Sequence, residues 1–181
     1  MTRVKFCGFT HQDDVIHAVS LGVDALGFVF YAPSSRYVAP EQAKTLMRVV
    51  PAFVTRVGLF VDEEAETVQR TFEIARLNLI QYHGDESPEF CDAVGLPYIK
   101  AFRVQKGMNL RSEIDRYPNA SGFLLDAYVK GQPGGTGEGF DWELIPQSHA
   151  PIILAGGLTP DNARAAIDQV APWALDLSGG I

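Results

Sequence analysis

Short apolar runs rich in β-branched residues recur along this chain at intervals of roughly 20–30 residues, with helically spaced stretches between them. The runs are Val4–Cys7, Ala25–Phe30, Thr55–Val61, Leu79–Tyr82, Tyr98–Phe102, Gly122–Leu125, Ile152–Ala155 and Ala174–Leu177, eight in all. A strand–helix alternation of this kind implies a parallel sheet with helices packed on it. Eight repeats favour closure into a ring over an open doubly wound sheet. The glycine fingerprint of a dinucleotide-binding sheet is missing after the first run, where Phe6-Cys7-Gly8-Phe9-Thr10 stands instead. The expected fold is therefore an α/β (β/α)8 TIM barrel occupying residues 1–181 as a single domain. The chain stops at Ile181, just past the eighth run, so the barrel is expected to be lacking or truncated before its eighth helix. Apolar surface beside the first and seventh helices would then be exposed.

The segments between the runs carry helix signals. Thr10 followed by Asp13 reads as a capping box for a helix through Leu21, closed by Gly22. Pro40 suits a first turn, with Ala43, Leu46, Met47 and Val50 on one face. Val68, Phe72 and Ala75 form a third stripe. Ser87-Pro88-Glu89 opens a fourth helix, Asn109 caps a fifth, and Thr159-Pro160 opens one through Val170. The stretch around Trp142–Ile145 is weakly patterned.

Charge and cysteine content narrow the function. A net charge of −7 argues against a general nucleic-acid or anionic-membrane binder, while leaving room for a locally positive anion site. No apolar run is long enough to span a bilayer, and the start shows no signal-peptide core. The two cysteines, Cys7 and Cys91, are far apart and form no Cys-x-x-Cys motif. A free thiol fits a reducing compartment, so the expected location is the cytoplasm.

In a parallel barrel, ligands and chemistry gather at the C-terminal ends of the strands. Cys7, Arg36, His83, Asp126, Gly156-Gly157 and Ser178-Gly179-Gly180 all fall at such ends or in the loops that follow. The two glycine pairs follow strands seven and eight, the recurrent phosphate site of this fold. Glycine admits close backbone approach, and free amides at a helix start favour an anion. Tight turning alone is the competing explanation.

A lone cysteine is ordinarily a small hydrophobe, and Cys91 reads that way. Cys7 differs because Lys5, two residues back, shares its strand face and favours a thiolate. Asp176 on strand eight would neighbour Lys5 once the barrel closes, so an interior Lys5–Asp176 ion pair is expected. That pair would reduce the effect of Lys5 on the thiol. Asp126 closes an apolar strand, where partial desolvation would raise its pKa and suit it as a general acid; loop capping is the alternative. Cys7 and Asp126 could flank one small substrate. Arg36 could clamp a carboxylate or be merely solvated. His83 lacks a second histidine or cysteine nearby, so a hydrogen-bonding role is expected and a metal is not. Residues 131–139 form a glycine-rich stretch without the Gly-Lys-Ser/Thr ending of a nucleotide loop, and read as a mobile active-site loop.

Taken together, several segments resemble the phosphoribosylanthranilate isomerase family: Lys5-Phe6-Cys7-Gly8-Phe9-Thr10, Asp24-Ala25-Leu26-Gly27-Phe28-Val29-Phe30, Ser35-Arg36-Tyr37-Val38, Val57-Gly58-Leu59-Phe60-Val61, Gln81-Tyr82-His83-Gly84-Asp85-Glu86, Leu124-Leu125-Asp126, Gly134-Gly135-Thr136-Gly137, Phe140-Asp141-Trp142 and Leu154-Ala155-Gly156-Gly157-Leu158-Thr159-Pro160. They span nearly the whole chain in family order. The resemblance implies an Amadori rearrangement of N-(5'-phosphoribosyl)anthranilate, a step of tryptophan biosynthesis. In it Asp126 would be the general acid and Cys7 the general base. Arg36 would hold the anthranilate carboxylate. His83, Gly156, Gly157, Ser178, Gly179 and Gly180 would complete substrate and phosphate binding. Neither cofactor nor metal is implied, and the only partner expected is a small phosphorylated substrate, with the chain a monomer or homodimer.

The chain departs from the family at Ser34-Ser35-Arg36, commonly Ser-Pro-Arg, and at Glu138-Gly139, where a basic residue is common. Its end, Ser178-Gly179-Gly180-Ile181, differs from the usual Ser-Ser-Gly-Val-Glu and loses a hydroxyl at Gly179. Another sugar-phosphate isomerase or epimerase fits less well, since paired aspartates or a metal set are typical there. A non-catalytic phosphate-binding barrel is the reading outside enzymology.

Overall fold

The computed structural model describes residues 1–105, 107–126, 142, 145 and 150–179. Eight strands run in the order β1 (Arg3–Cys7), β2 (Ala25–Val29), β3 (Thr55–Phe60), β4 (Leu79–Tyr82), β5 (Tyr98–Arg103), β6 (Phe123–Asp126), β7 (Ile152–Ala155) and β8 (Ala174–Leu177). Every neighbouring pair is parallel, and β8 pairs with β1, closing the barrel. Among the described residues six α-helices accompany them: α1 (Gln12–Ser20), α2 (Pro40–Leu46), α3 (Ala65–Ala75), α4 (Pro88–Val94), α5 (Leu110–Asp115) and α6 (Pro160–Val170). The expected strands are all present. The largest offset is at β6, which starts one residue later than expected and includes Asp126.

Local chemistry explains most helix starts. The Ser87 hydroxyl accepts from the Phe90 amide, and the Asn109 side chain accepts from the Ser112 amide, as the sequence indicated. Pro40, Pro88 and Pro160 each stand at the first helical position. The capping box expected at Thr10 is not formed. Helix α1 begins after His11, which makes no side-chain cap bond, and the Thr10 hydroxyl is 2.8 Å from His11 Nδ1 instead. The glycine-rich stretch 131–139 lies outside the described residues.

Strand alternation sorts side chains into an inner and an outer set. Val4, Phe6, Ile80, Tyr82, Phe123 and Leu125 belong to the layer between sheet and helices, around the fully buried Leu26, Phe28 and Phe60. Full burial of a Leu, Ile or Phe side chain such as Leu26 or Phe28 contributes roughly 1.5–3 kcal/mol. Leu79, Ile99, Ala101, Leu124, Ile153, Ala155 and Ala174 pack together inside the barrel. This parity turns Lys5, Cys7, Gln81, His83, Asp126 and Asp176 inward as well. Beside the β1–β8 seam, Trp173 is half exposed with the Arg3 guanidinium 3.7 Å over its ring, and Ile16 of α1 is 46% exposed.

Candidate active site

The inner face carries a polar layer above an apolar floor. Lys5 and Asp176 stand side by side in the β1–β8 register, and their charges meet at 2.8 Å, both buried. The pair expected from barrel closure is therefore formed. Burial opposes the Lys5 charge, but Asp176 and the neighbouring Cys7 outweigh it and hold the ammonium above its ordinary range.

Cys7 follows Lys5 on the same face and is 4% exposed. Burial pushes its thiol pKa up. The Lys5 ammonium and, less strongly, Arg36 pull it down, while Asp176 pushes it up. The net is a thiol held protonated beyond the usual range, whose thiolate is a strong base once formed. Gly27 lies opposite Cys7 in the β1–β2 register. A Cβ placed on Gly27 would stand 2.6 Å from Cys7 Sγ, so the missing side chain is the space the sulfur occupies.

Arg36, in the loop after β2, crosses to the rim at β1 and β8. Its Nη1 donates to the Cys7 carbonyl at 3.3 Å, to the Ser178 carbonyl at 2.9 Å and to the Ser178 hydroxyl. Gly8, at φ +109°, lies beneath it: a Cβ there would meet Arg36 Cδ at 2.6 Å. One edge of the guanidinium is thus anchored. The Nε–Nη2 edge has no partner among the described residues and keeps the fork geometry that suits a carboxylate.

Asp126 ends β6, and its carboxylate Oδ2 lies 3.4 Å from His83 Nε2. His83 directly follows β4, and its Nδ1 is 2.9 Å from the Gln81 amide nitrogen. Gly156 and Gly157 follow β7 at φ +84° and +62°, a left-handed turn that favours glycine. Asn162 of α6 locks this turn, accepting from the Thr159 amide at 2.8 Å and donating to the Gly157 carbonyl at 2.8 Å. Gly179 is exposed, and Gly180 lies outside the described residues.

The structure thus joins Cys7, Arg36 and Ser178 into one contact set, and His83 and Asp126 into another. Ser178, expected at the phosphate, has its hydroxyl and carbonyl on Arg36. The sequence reading passed over Gly27, Gly8 and Gln81; the signal for Gln81 was its place two residues before His83 in a buried strand. It also passed over a second buried ion pair, Lys100–Glu86 at 2.8 Å, on the outer side of the sheet. Glu86 accepts from the Asp62 and Gly84 amides, and Lys100 donates to the Gly84 carbonyl, tying down the loop that carries His83. A lysine in the middle of the buried run of β5 was the available clue. No group of three or more His, Cys, Asp or Glu residues able to hold a metal occurs among the described residues.

The family model for N-(5'-phosphoribosyl)anthranilate isomerase matches residues 4–181. The N-(5'-phosphoribosyl)anthranilate isomerase of Nitrosospira multiformis is 51% identical over 180 residues, covering 99% of this chain and 86% of that protein. The crystal structure of the Thermotoga maritima phosphoribosyl anthranilate isomerase superposes with a TM-score of 0.88 at 37% identity, covering 100% of this chain and 89% of the other. A phosphoribosyl anthranilate isomerase solved with reduced 1-(o-carboxyphenylamino)-1-deoxyribulose 5-phosphate superposes at 0.84 with 36% identity, covering 100% and 89%. This chain belongs to the N-(5'-phosphoribosyl)anthranilate isomerase family.

Proposed function

We propose that Cys7 and Asp126 carry the reaction of this family on the rim of the barrel. The chain is an isomerase of tryptophan biosynthesis that converts N-(5'-phosphoribosyl)anthranilate to 1-(2-carboxyphenylamino)-1-deoxyribulose 5-phosphate. The observation supporting the residue roles is that a buried thiol and a partly exposed carboxyl face inward from the ends of β1 and β6, three strand positions apart around the ring. Asp126 gives its proton to the ribose ring oxygen. The bond from that oxygen to C1 breaks, and the nitrogen lone pair forms the C1 iminium. Cys7, as thiolate, takes the C2 proton, and the C–H electrons neutralise the iminium to give an enolamine. Loss of the enol proton and protonation of C1 give the ketone. The substrate's own iminium is the electron sink. The free edge of Arg36 holds the anthranilate carboxylate, and the Gly156-Gly157 turn with the loop after β8 receives the phosphate. Two free buried thiols, Cys7 and Cys91, support a reducing cytoplasmic setting.

The test is turnover of N-(5'-phosphoribosyl)anthranilate by purified protein with a chelator present. Full activity is expected, with Cys7→Ser and Asp126→Asn each slowed about 10²–10⁴-fold. Near-normal turnover by either variant removes that residue from the mechanism.

A further inference from the structure

The imidazole of His83 is held between two inward-facing side chains, Gln81 through Nδ1 and Asp126 through Nε2. The group facing Nδ1 is the amide nitrogen of Gln81, which can only donate. Nδ1 is therefore an acceptor, and a neutral ring carries its single proton on Nε2, the nitrogen 3.4 Å from Asp126 Oδ2. Gln81 is fully buried, and its Oε1 has no partner among the described residues. An unpartnered buried carbonyl is costly, and an apolar residue at this inner position would avoid it. The ring's backbone is also pinned: the His83 amide donates to the Phe60 carbonyl at 2.9 Å, and the Arg103 guanidinium reaches the His83 carbonyl at 3.4 Å.

We propose that His83 is a positioning residue for Asp126 and that Gln81 sets its tautomer. This rests on the reading of Asp126 as the general acid. An imidazole that donates from Nε2 fixes the orientation of the carboxyl through Oδ2. With Nδ1 occupied by Gln81, it offers Asp126 no lone pair and cannot take the proton meant for the ribose oxygen. The opposite tautomer would accept that proton and disarm the acid. The 3.4 Å separation is longer than the usual range of about 2.7–3.2 Å. Catalytic hydrogen bonds of ligand-free sites commonly tighten when substrate binds.

Imidazole ¹⁵N NMR of the wild-type protein at neutral pH tests the tautomer without substrate. A protonated Nε2 and bare Nδ1 are expected; a protonated Nδ1 with bare Nε2 overturns the proposal. Gln81→Glu presents only acceptors to Nδ1, and is expected to move the proton there and lower kcat. An unchanged kcat with a switched tautomer refutes the role of Gln81. His83→Ala is expected to lose up to about 100-fold in kcat with KM little changed. His83→Gln, which places an amide N–H near the former Nε2, is expected to recover part of that loss. A loss confined to KM makes His83 a substrate ligand and rejects the positioning role, as does wild-type kcat in His83→Ala. Wild-type protein inactive on N-(5'-phosphoribosyl)anthranilate would instead refute the assigned reaction, while the NMR result still decides the tautomer.

Discussion

Substituting Gly27 by alanine should damage catalysis without touching any polar group. The added methyl would begin 2.6 Å from Cys7 Sγ and 3.1 Å from both Cα and Cβ of Cys7. Nonbonded contact requires roughly 3.5–4.0 Å, so the sulfur or the β1 backbone must retreat by about 1 Å. The sulfur cannot simply rotate into free space, since Cys7 is 4% exposed. Overpacking of this kind costs about 1–3 kcal/mol, which for a chain of this size corresponds to a Tm lower by roughly 2–12 °C. A base misplaced by about 1 Å can lose roughly 10²-fold in rate. The expected result is kcat down by about 10²-fold, with a smaller change in KM because Arg36 and the glycine turn are untouched. Steady-state kinetics and thermal melts measure both. Repeating the substitution in a Cys7→Ala background separates the contacts: the stability penalty should shrink as the Sγ clash disappears, leaving only the 3.1 Å contacts. Wild-type kcat in Gly27→Ala would refute the idea that this glycine seats the sulfur.

Further outcomes follow from the same geometry. Arg36→Ala should raise KM far more than it lowers kcat, and unchanged kinetics would dismiss the carboxylate clamp. Breaking the Lys5–Asp176 pair by Lys5→Met should cost about 3–5 kcal/mol in urea unfolding, because it strands a buried carboxylate. The double variant Lys5→Met/Asp176→Leu should recover much of that loss. Burial holds the Cys7 thiol above its ordinary range, so log kcat/KM should still be climbing above about pH 7; a plateau reached by neutral pH would contradict this. The same shift acts on stability with the opposite sense. The folded thiol keeps its proton after the unfolded one has lost it, so this contribution is present below the unfolded thiol pKa and fades as pH rises past it. Cys7→Ala should flatten that alkaline decline in urea-unfolding stability.

The repeat architecture was readable from the amino-acid order, since apolar periodicity and punctuation are local properties. So was the set of residues that stand at strand ends. The Lys5–Asp176 pair was legible for a related reason: strand alternation turns both side chains inward, and ring closure makes β8 the neighbour of β1. The Thr10 capping box misled because the helix starts one residue later than the pattern suggested, and the hydroxyl found the His11 ring first. How side chains from distant elements share a few ångströms depends on the folded barrel. Arg36 reaches Ser178, 142 residues away, only because of a particular rotamer over the bare surface of Gly8. The space for the Cys7 sulfur depends on which β2 residue the register sets opposite it. The direction of the His83 proton depends on which end of the Gln81 amide faces the ring. Register, rotamer and hydrogen-bond polarity are set by packing across the whole barrel, and no local stretch of sequence encodes them.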